Sequence, residues 1–327
     1  MFADAGSGTL GLGAVFRVKV LVYGAGVIGS LYAARLHQTG HDVTVLARGQ
    51  RLAELRAQQL VLEHAVTGAR LTAAVNVSEG LKPSDKYDLV LVPVRGDQLR
   101  SVLDPLAASR STPNVLFFCN TAGGPNELVS ALGRERVLLG FPGAGGTRNG
   151  TAVRYLLIRQ QPTTMGELDG AMTPRLRQFR AAFEGAGFRT AISRHMDGWL
   201  KYHAVFVCSI CGAIYRAGGR ASQLADRPDI LHLMVRATAE GFRNLRRQGI
   251  SGAPGNLRML YEVMPQWFAV RYWQRAMRTA LGEFGFAAHA NASREELIQL
   301  ARQVRSLVQR SDLSTPAIDD LYRYADG

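Results

Sequence analysis

Cysteine is scarce: three residues (Cys119, Cys208, Cys211) in 327 supply neither a disulfide framework nor a four-ligand metal set. No apolar run reaches the ~20 residues of a membrane span. The Gly- and Ala-rich first 16 residues lack the basic start and long apolar core of a signal peptide, and read as a loose extension before the first strand. Internal repeats, low-complexity tracts and dense basic runs are also missing. These absences point to a cytoplasmic globular protein of about two domains, with no membrane partner. Cys208-x-x-Cys211 has redox-pair spacing but lies inside an apolar helical run, so buried packing thiols are expected.

What the chain has in excess is positive charge. Its 39 basic residues against 26 acidic ones leave a net +13. The arginines are scattered over helical segments and no nucleic-acid motif is recognisable, so nucleic acid is not an expected partner. The excess suits an anionic cofactor and would steer acidic substrates towards the protein.

The most informative stretch is Val18 to Ala34. An apolar, β-branched run leads into Gly24-Ala25-Gly26-Val27-Ile28-Gly29, and small helix-compatible residues follow. Gly-x-Gly-x-x-Gly between a strand and a helix is the first βα turn of a dinucleotide-binding fold. Gly24 permits the tight turn, Gly26 lets backbone approach a pyrophosphate, and Gly29 lets the helix sit close to the sheet. The helix N-terminus then faces the phosphates. His41–Ala47 reads as the second strand. At its end, about 20 residues past the glycines, a NAD site would carry an acid for the ribose 2′-hydroxyl. Here Arg48 stands there, with Arg51 behind it, which matches a 2′-phosphate and hence NADP(H).

Further along, Leu60–Val75 reads as a β-hairpin about Thr67-Gly68. Asp88–Val94 and Asn114–Cys119 read as buried strands ending at Arg95 and Asn120, the edge where ligands gather in open α/β sheets. A strand from Arg136 leads into the glycine-rich Gly143–Gly146, either a place for close backbone approach or a flexible connection. Tyr155–Ile158, Thr163–Gly166 and Phe188–Ile192 supply further strands. From about Thr173 helical periodicity takes over, with helices expected over 174–186, 195–217, 230–248, 257–281 and 294–309. The expected class is α/β: an extension over 1–16, a Rossmann-type dinucleotide-binding domain over 17–193, and an all-helical domain over 194–327. The active site should lie in the cleft between the last two.

The glycine motif, Arg48, Arg95, Asn120, Trp199-Leu200-Lys201 opening a long helix, and the ending Ser314–Tyr322 together resemble the ketopantoate reductases (2-dehydropantoate 2-reductases). The resemblance covers the chain after residue 17, strongly in its first half. It implies NADPH-dependent reduction of a 2-keto acid, ketopantoate being one candidate, with pantothenate biosynthesis as the family's setting. By the same resemblance Lys201 is the proton donor and Asn120 touches cofactor and substrate. Arg95 takes the place of a phosphate-contacting lysine, and Gly146 falls where family backbone meets the cofactor. Counting back from Pro316 places the family's acid at Glu296; Glu283 is a looser match that needs an insertion.

The substrate half departs from the pattern. One and two turns after the lysine, where the family presents asparagines, the chain has Val205 and Ser209, so Ser209 is the remaining polar candidate there. His289 and the aromatics Trp267, Phe268, Tyr272 and Trp273 match nothing in the family. His289 reads as a structural histidine, and the aromatics as core, as a wall of a bulkier pocket, or as the contact of a homodimer through the helical domain. The rival reading from another class is a non-enzymatic NADP-binding sensor or interaction protein.

Overall fold

The computed structural model describes residues 17–326; the extension expected over 1–16 lies outside the described residues. The chain opens with β1 (Lys19–Tyr23), α1 (Val27–Gln38), β2 (Asp42–Leu46) and α2 (Gly49–Ala57). A hairpin, β3 (Leu60–His64) and β4 (Arg70–Ala73), precedes the short β5 (Asn76–Ser78). Then come β6 (Leu89–Val92), α3 (Leu99–Ala108), β7 (Val115–Phe118), α4 (Asn126–Leu132) and β8 (Val137–Phe141). The strands β9 (Ala144–Asn149), β10 (Ala152–Leu157) and β11 (Thr163–Glu167), α5 (Pro174–Gly185) and β12 (Thr190–Ile192) complete the sheet-bearing half.

Eight strands form one sheet in the order β12-β11-β8-β7-β6-β1-β2-β5. All neighbours are parallel except β8 and β11. After β1 the chain builds outward through β2 to β5, then crosses back to β6 and builds the other way. The order therefore reverses between β1 and β6, and a crevice opens there at the carboxyl ends of the strands. The runs Val20–Tyr23, Leu89–Val92 and Val115–Phe118 are buried on both faces, as a parallel sheet covered by helices requires.

A second sheet, β4-β3-β10-β9, packs on α1. The hairpin expected at Leu60–Val75 is half of it. Of the other half, the strand expected at Tyr155–Ile158 overlaps β10, whereas β9 was not legible, because Gly143–Gly146 reads as a loop. In the structure Ala144–Asn149 is a strand paired antiparallel with β10. A side chain at Gly146 would collide with the Arg154 carbonyl, and one at Gly145 would come within 2.6 Å of the Phe284 carbonyl. These glycines admit close backbone approach, but from the protein's own chain.

The helical half follows: α6 (Met196–Arg216), α7 (Ala221–Ala225), α8 (Pro228–Arg247), α9 (Gly255–Arg258), α10 (Gln266–Met277), α11 (Ala288–Ala292), α12 (Arg294–Val308) and α13 (Pro316–Leu321). The single helix expected over 257–281 is broken. Pro265 cannot donate to a preceding turn and disfavours helix at Met264, so a π-helical turn over Met259–Val263 stops there and α10 starts afresh. A second π-helical run, Leu281–Ala287, leads into α11. Cys208 and Cys211 are free, buried and packed in the helical core around α6, and burial pushes both thiols up. No helix among the described residues is long and apolar enough to cross a membrane.

Candidate active site

The glycine turn forms because β1 leaves the sheet at Gly24 with φ +121°, a conformation costly for any other residue. Its N–H donates to the carbonyls of Val22 and Leu46, both at 3.1 Å. Gly26 caps α1, whose first turn carries no acid and whose first N–H groups have no acceptor within the helix. A side chain on Gly29 would overlap the Gly24 carbonyl oxygen, so only glycine lets the helix rise so close to the turn. The outcome is a positive helix end facing the crevice, with Gly24, Gly26, Val27 and Ile28 on its wall.

The two arginines after β2 separate. Arg48 is exposed at the N-terminus of α2, held by one hydrogen bond from Nη2 to the Tyr23 hydroxyl at 3.2 Å. Arg51 is buried. Its Nε donates to the Ala25 carbonyl at 3.3 Å and its Nη1 to the Thr151 carbonyl and Glu54, both at 3.0 Å. Arg51 is therefore a buttress of the glycine turn, and Arg48 is the exposed one of the two.

The opposite wall comes from the ends of β6, β7 and β8 and from the helical half, enclosing a cleft of about 520 Å³. Arg95 lines it after β6, with Nε and Nη2 each 3.1 Å from an Asp97 carboxylate oxygen. Asn120, after β7, donates from Nδ2 to Glu296 Oε1 at 3.3 Å, and the Gly96 N–H donates to the same oxygen at 3.2 Å. Glu296 is in the first turn of α12 and 4% exposed. Glu283, the looser match for the family's acid, is exposed and does not line the cleft. Gly146 does line it, from β9.

Residues that sequence reasoning did not assign to the site also line it: Phe141, Ile158, His203, Val207, Phe286 and His289, the last singled out but read as structural. His203 and Val207 are one turn apart on α6, so both reach the cleft; only their spacing could have pointed to them. His203 is buried, stacked on Trp199 at 5.1 Å and 7°, and burial together with the neighbouring His289 charge lowers its pKa to about 3. His289, read as structural, stands on the cleft wall. Burial, with Glu296 adding to it, pushes the Cys119 thiol up to about 12, so this cleft residue is an inert thiol.

Three buried polar atoms of this cleft have no partner: Asn120 Oδ1, His203 Nδ1 and Glu296 Oε2. Unpaired buried polar groups are costly, and three converging on one cavity fit a ligand that supplies the missing bonds.

Arg48, Ala25 and Gly29 do not line this cleft, and the two residues expected on the substrate side fall elsewhere. Lys201 is 17% exposed and does not line the cleft; its Nζ is 2.5 Å from Asp197 Oδ2, one turn back on α6, beside the Gly124 turn. Ser209 is completely buried. Its hydroxyl bonds the Val205 carbonyl at 2.8 Å and the Tyr322 hydroxyl at 3.0 Å, so it belongs to the helical core rather than to a substrate pocket. Of the aromatics, Trp273 is core and Trp267 is exposed, and neither they nor Phe268 and Tyr272 line the cleft; Phe286 does.

Residues 20–170 match the family model for ketopantoate reductase PanE/ApbA. These residues, just under half of the chain, carry the likeness, and the chain is similar to the ketopantoate reductase family. The family comprises NAD(P)-dependent oxidoreductases acting on CH–OH groups. The uncharacterized oxidoreductase YkpB of Bacillus subtilis is 27% identical over 198 residues, 60% of this chain and 64% of that protein, so the match spans under two thirds of the relative. A 2-dehydropantoate 2-reductase of Pyrococcus horikoshii is 23% identical over 256 residues, 76% of this chain and 80% of that one. Among solved structures, the ternary complex of D-mandelate dehydrogenase with NADH and anilino(oxo)acetate has the same fold, with TM-score 0.74 and 13% identity over 94% of this chain and 97% of that one. The ketopantoate reductase fold thus places a mixed α/β sheet region before a helical one, as in this protein.

Proposed function

We propose that the protein reduces a 2-keto acid to a 2-hydroxy acid with NADPH. The observation that carries this reading is the set of three unpartnered polar atoms, Asn120 Oδ1, His203 Nδ1 and Glu296 Oε2, in the cleft that the glycine turn borders. A nicotinamide dinucleotide fits this wall: the start of α1 suits its pyrophosphate, and the bare approach at Gly24 and Gly26 admits it without side-chain collision. When bound, it supplies the hydride.

The residues of the chain do the rest. Gly24–Gly29 hold the pyrophosphate through backbone N–H groups, and Gly146 closes against the cofactor from β9. Arg95 is placed at the same strand edge for a phosphate. Arg48 takes the 2′-phosphate, since no acid lies between Leu46 and Arg51 to favour a free 2′-hydroxyl. Asn120 Oδ1 and Glu296 Oε2 are acceptors, and they take hydroxyl or amide donors of the cofactor and the hydroxyl of the 2-hydroxy acid. Lys201 delivers the proton as negative charge develops on the ketone oxygen. To do so its Nζ exchanges Asp197 for the substrate by rotation about its four-carbon stem, on the helix that sends His203 and Val207 to the cleft. The same lock on Lys201 also suits a cofactor sensor without turnover.

Ketopantoate carries a hydroxyl that would need a partner where Val205 and Ser209 are committed to core packing. Phe141, Ile158, Val207 and Phe286 favour an apolar substituent instead. The test is NADPH oxidation over ketopantoate and a panel of apolar and aromatic 2-keto acids, with wild type and Lys201→Ala. Turnover of an apolar keto acid, lost in the variant, supports the reading. Tight NADPH binding with no turnover of any keto acid leaves the sensor.

A further inference from the structure

A 2-keto acid is an anion, and its carboxylate must meet a cation or several donors once it leaves water. Where the resemblance calls for asparagines, the structure has none to offer: Val205 packs against Gly241 of α8 and Ser209 bonds Tyr322. The basic side chains that line the cleft are Arg95, His203 and His289. Arg95 stands at the end of β6 in a two-point ion pair with Asp97. The amide of Asn120 is given to Glu296, which is itself an acid. The two histidines are left.

His203 enters from α6 with its ring clamped between Trp199 and Phe141, 4.1 Å from the latter, and Nδ1 unpartnered. His289 enters from α11, just after the π-helical run Leu281–Ala287. Its ring takes part in no hydrogen bond or ion pair among the described residues, and it is close enough to His203 for its charge to disfavour protonation there.

We infer that His289, with His203 beside it, is the carboxylate anchor of the substrate pocket. The His289 ring, which has no other partner among the described residues, supplies one donor, and the clamped ring of His203 supplies a second, fixed hydrogen bond. The inference rests on the keto acid reading of the cleft and names the group that replaces the family's asparagines. The elements packed against α11 carry, among other titratable and charged groups, His203 and Tyr215 on α6, Arg294, Glu295 and Glu296 at the start of α12, Arg148 on β9, and Glu283 in the π-helical run.

The test is calorimetric binding of anilino(oxo)acetate to the NADPH-loaded protein, for wild type, His289→Gln, His289→Lys and Lys201→Ala. Beside it, reduction of an apolar 2-keto acid is compared with that of its methyl ester. The expected result is a loss of binding of about 10- to 100-fold in His289→Gln and recovery in His289→Lys. The ester, which has no carboxylate, should be reduced equally by wild type and His289→Gln. Unchanged binding in His289→Gln, or an equal loss for acid and ester, overturns the anchor. If the wild type reduces no keto acid yet binds the probe through His289, the reductase reading fails and the anion site stands. If keto acids are reduced and His289→Gln is indifferent, the anchor fails and the reductase stands.

Discussion

Glu296 and Asn120 are 176 residues apart in the chain and meet at 3.3 Å, with the Gly96 N–H on the same carboxylate oxygen at 3.2 Å. One acid from the helical half thereby ties together the ends of two adjacent strands, β6 and β7, at the floor of the cleft. Its second oxygen is buried and unpaired. Structure and chemistry therefore separate by substitution. Glu296→Gln keeps an acceptor for both donors and should leave thermal stability nearly unchanged while lowering keto acid kcat/KM by about 10- to 100-fold. Glu296→Ala orphans both donors and should lose about 1–3 kcal/mol in urea unfolding as well. Equal stability of the two variants would remove Glu296 from the structural role.

Gly29 closes the glycine turn proposed to hold the pyrophosphate, and its replacement should be severe. An added methyl overlaps the Gly24 carbonyl, so Gly29→Ala must push α1 off the turn. Overpacking of this kind costs about 1–3 kcal/mol. The displaced helix N-terminus should also bind NADPH at least ~10-fold more weakly, about 1.4 kcal/mol. Gly29→Ala with normal cofactor titration would contradict the close approach.

Arg48 is proposed to decide between the two nicotinamide cofactors. Among the described residues its guanidinium has one hydrogen-bond partner, the Tyr23 hydroxyl. Arg48→Glu should weaken NADPH by about 10- to 100-fold, the worth of a charge-assisted contact, and favour NADH in relative terms. Arg51→Ala should act differently: it strips the Ala25, Ser30 and Thr151 contacts, so both cofactors weaken together and the melting temperature drops.

His203 makes stability depend on pH. Its folded pKa, about 3, is below the unfolded value of about 6.5, so between these the unfolded chain binds more protons. The contribution is complete above about pH 6.5 and is lost as the pH falls towards 3, with a limiting slope of about 1.4 kcal/mol per pH unit. Melts from pH 7 downward should show the wild type losing stability faster than His203→Gln. Parallel curves would mean that the ring is not buried in neutral form.

The expected homodimer through the helical domain has a candidate surface. Trp267 is 63% exposed, and Met259, Val263 and Phe268 are exposed nearby in the chain around the Pro265 break. We expect Trp267→Ser with Phe268→Ser to convert a dimer to a monomer in light scattering. A wild type that is monomeric at every concentration would end this expectation.

Local chemistry made much of the protein legible in advance. The Gly24–Gly29 motif, the buried strands ending at Arg95 and Asn120, the 60–75 hairpin and the helices near 196, 228 and 294 follow from backbone sterics and apolar periodicity, which act over a few residues. The family was readable for the same reason, since its first-half motifs are contiguous. What required the tertiary structure depends on packing between distant segments. A helical period says which residues of α6 share a face. It does not say which face meets the cleft, and α8, α12 and α13 decide that by burying Val205 and Ser209 and leaving His203 and Val207 to the cavity. Gly145 and Gly146 read as a loop because the chains that press on them, at Phe284 and Arg154, are remote in sequence. Arg48 and Arg51 look alike until one is buried. Sequence determined the dinucleotide half through short-range backbone requirements; the substrate side of the cleft was decided by long-range competition among helices for the same buried surface.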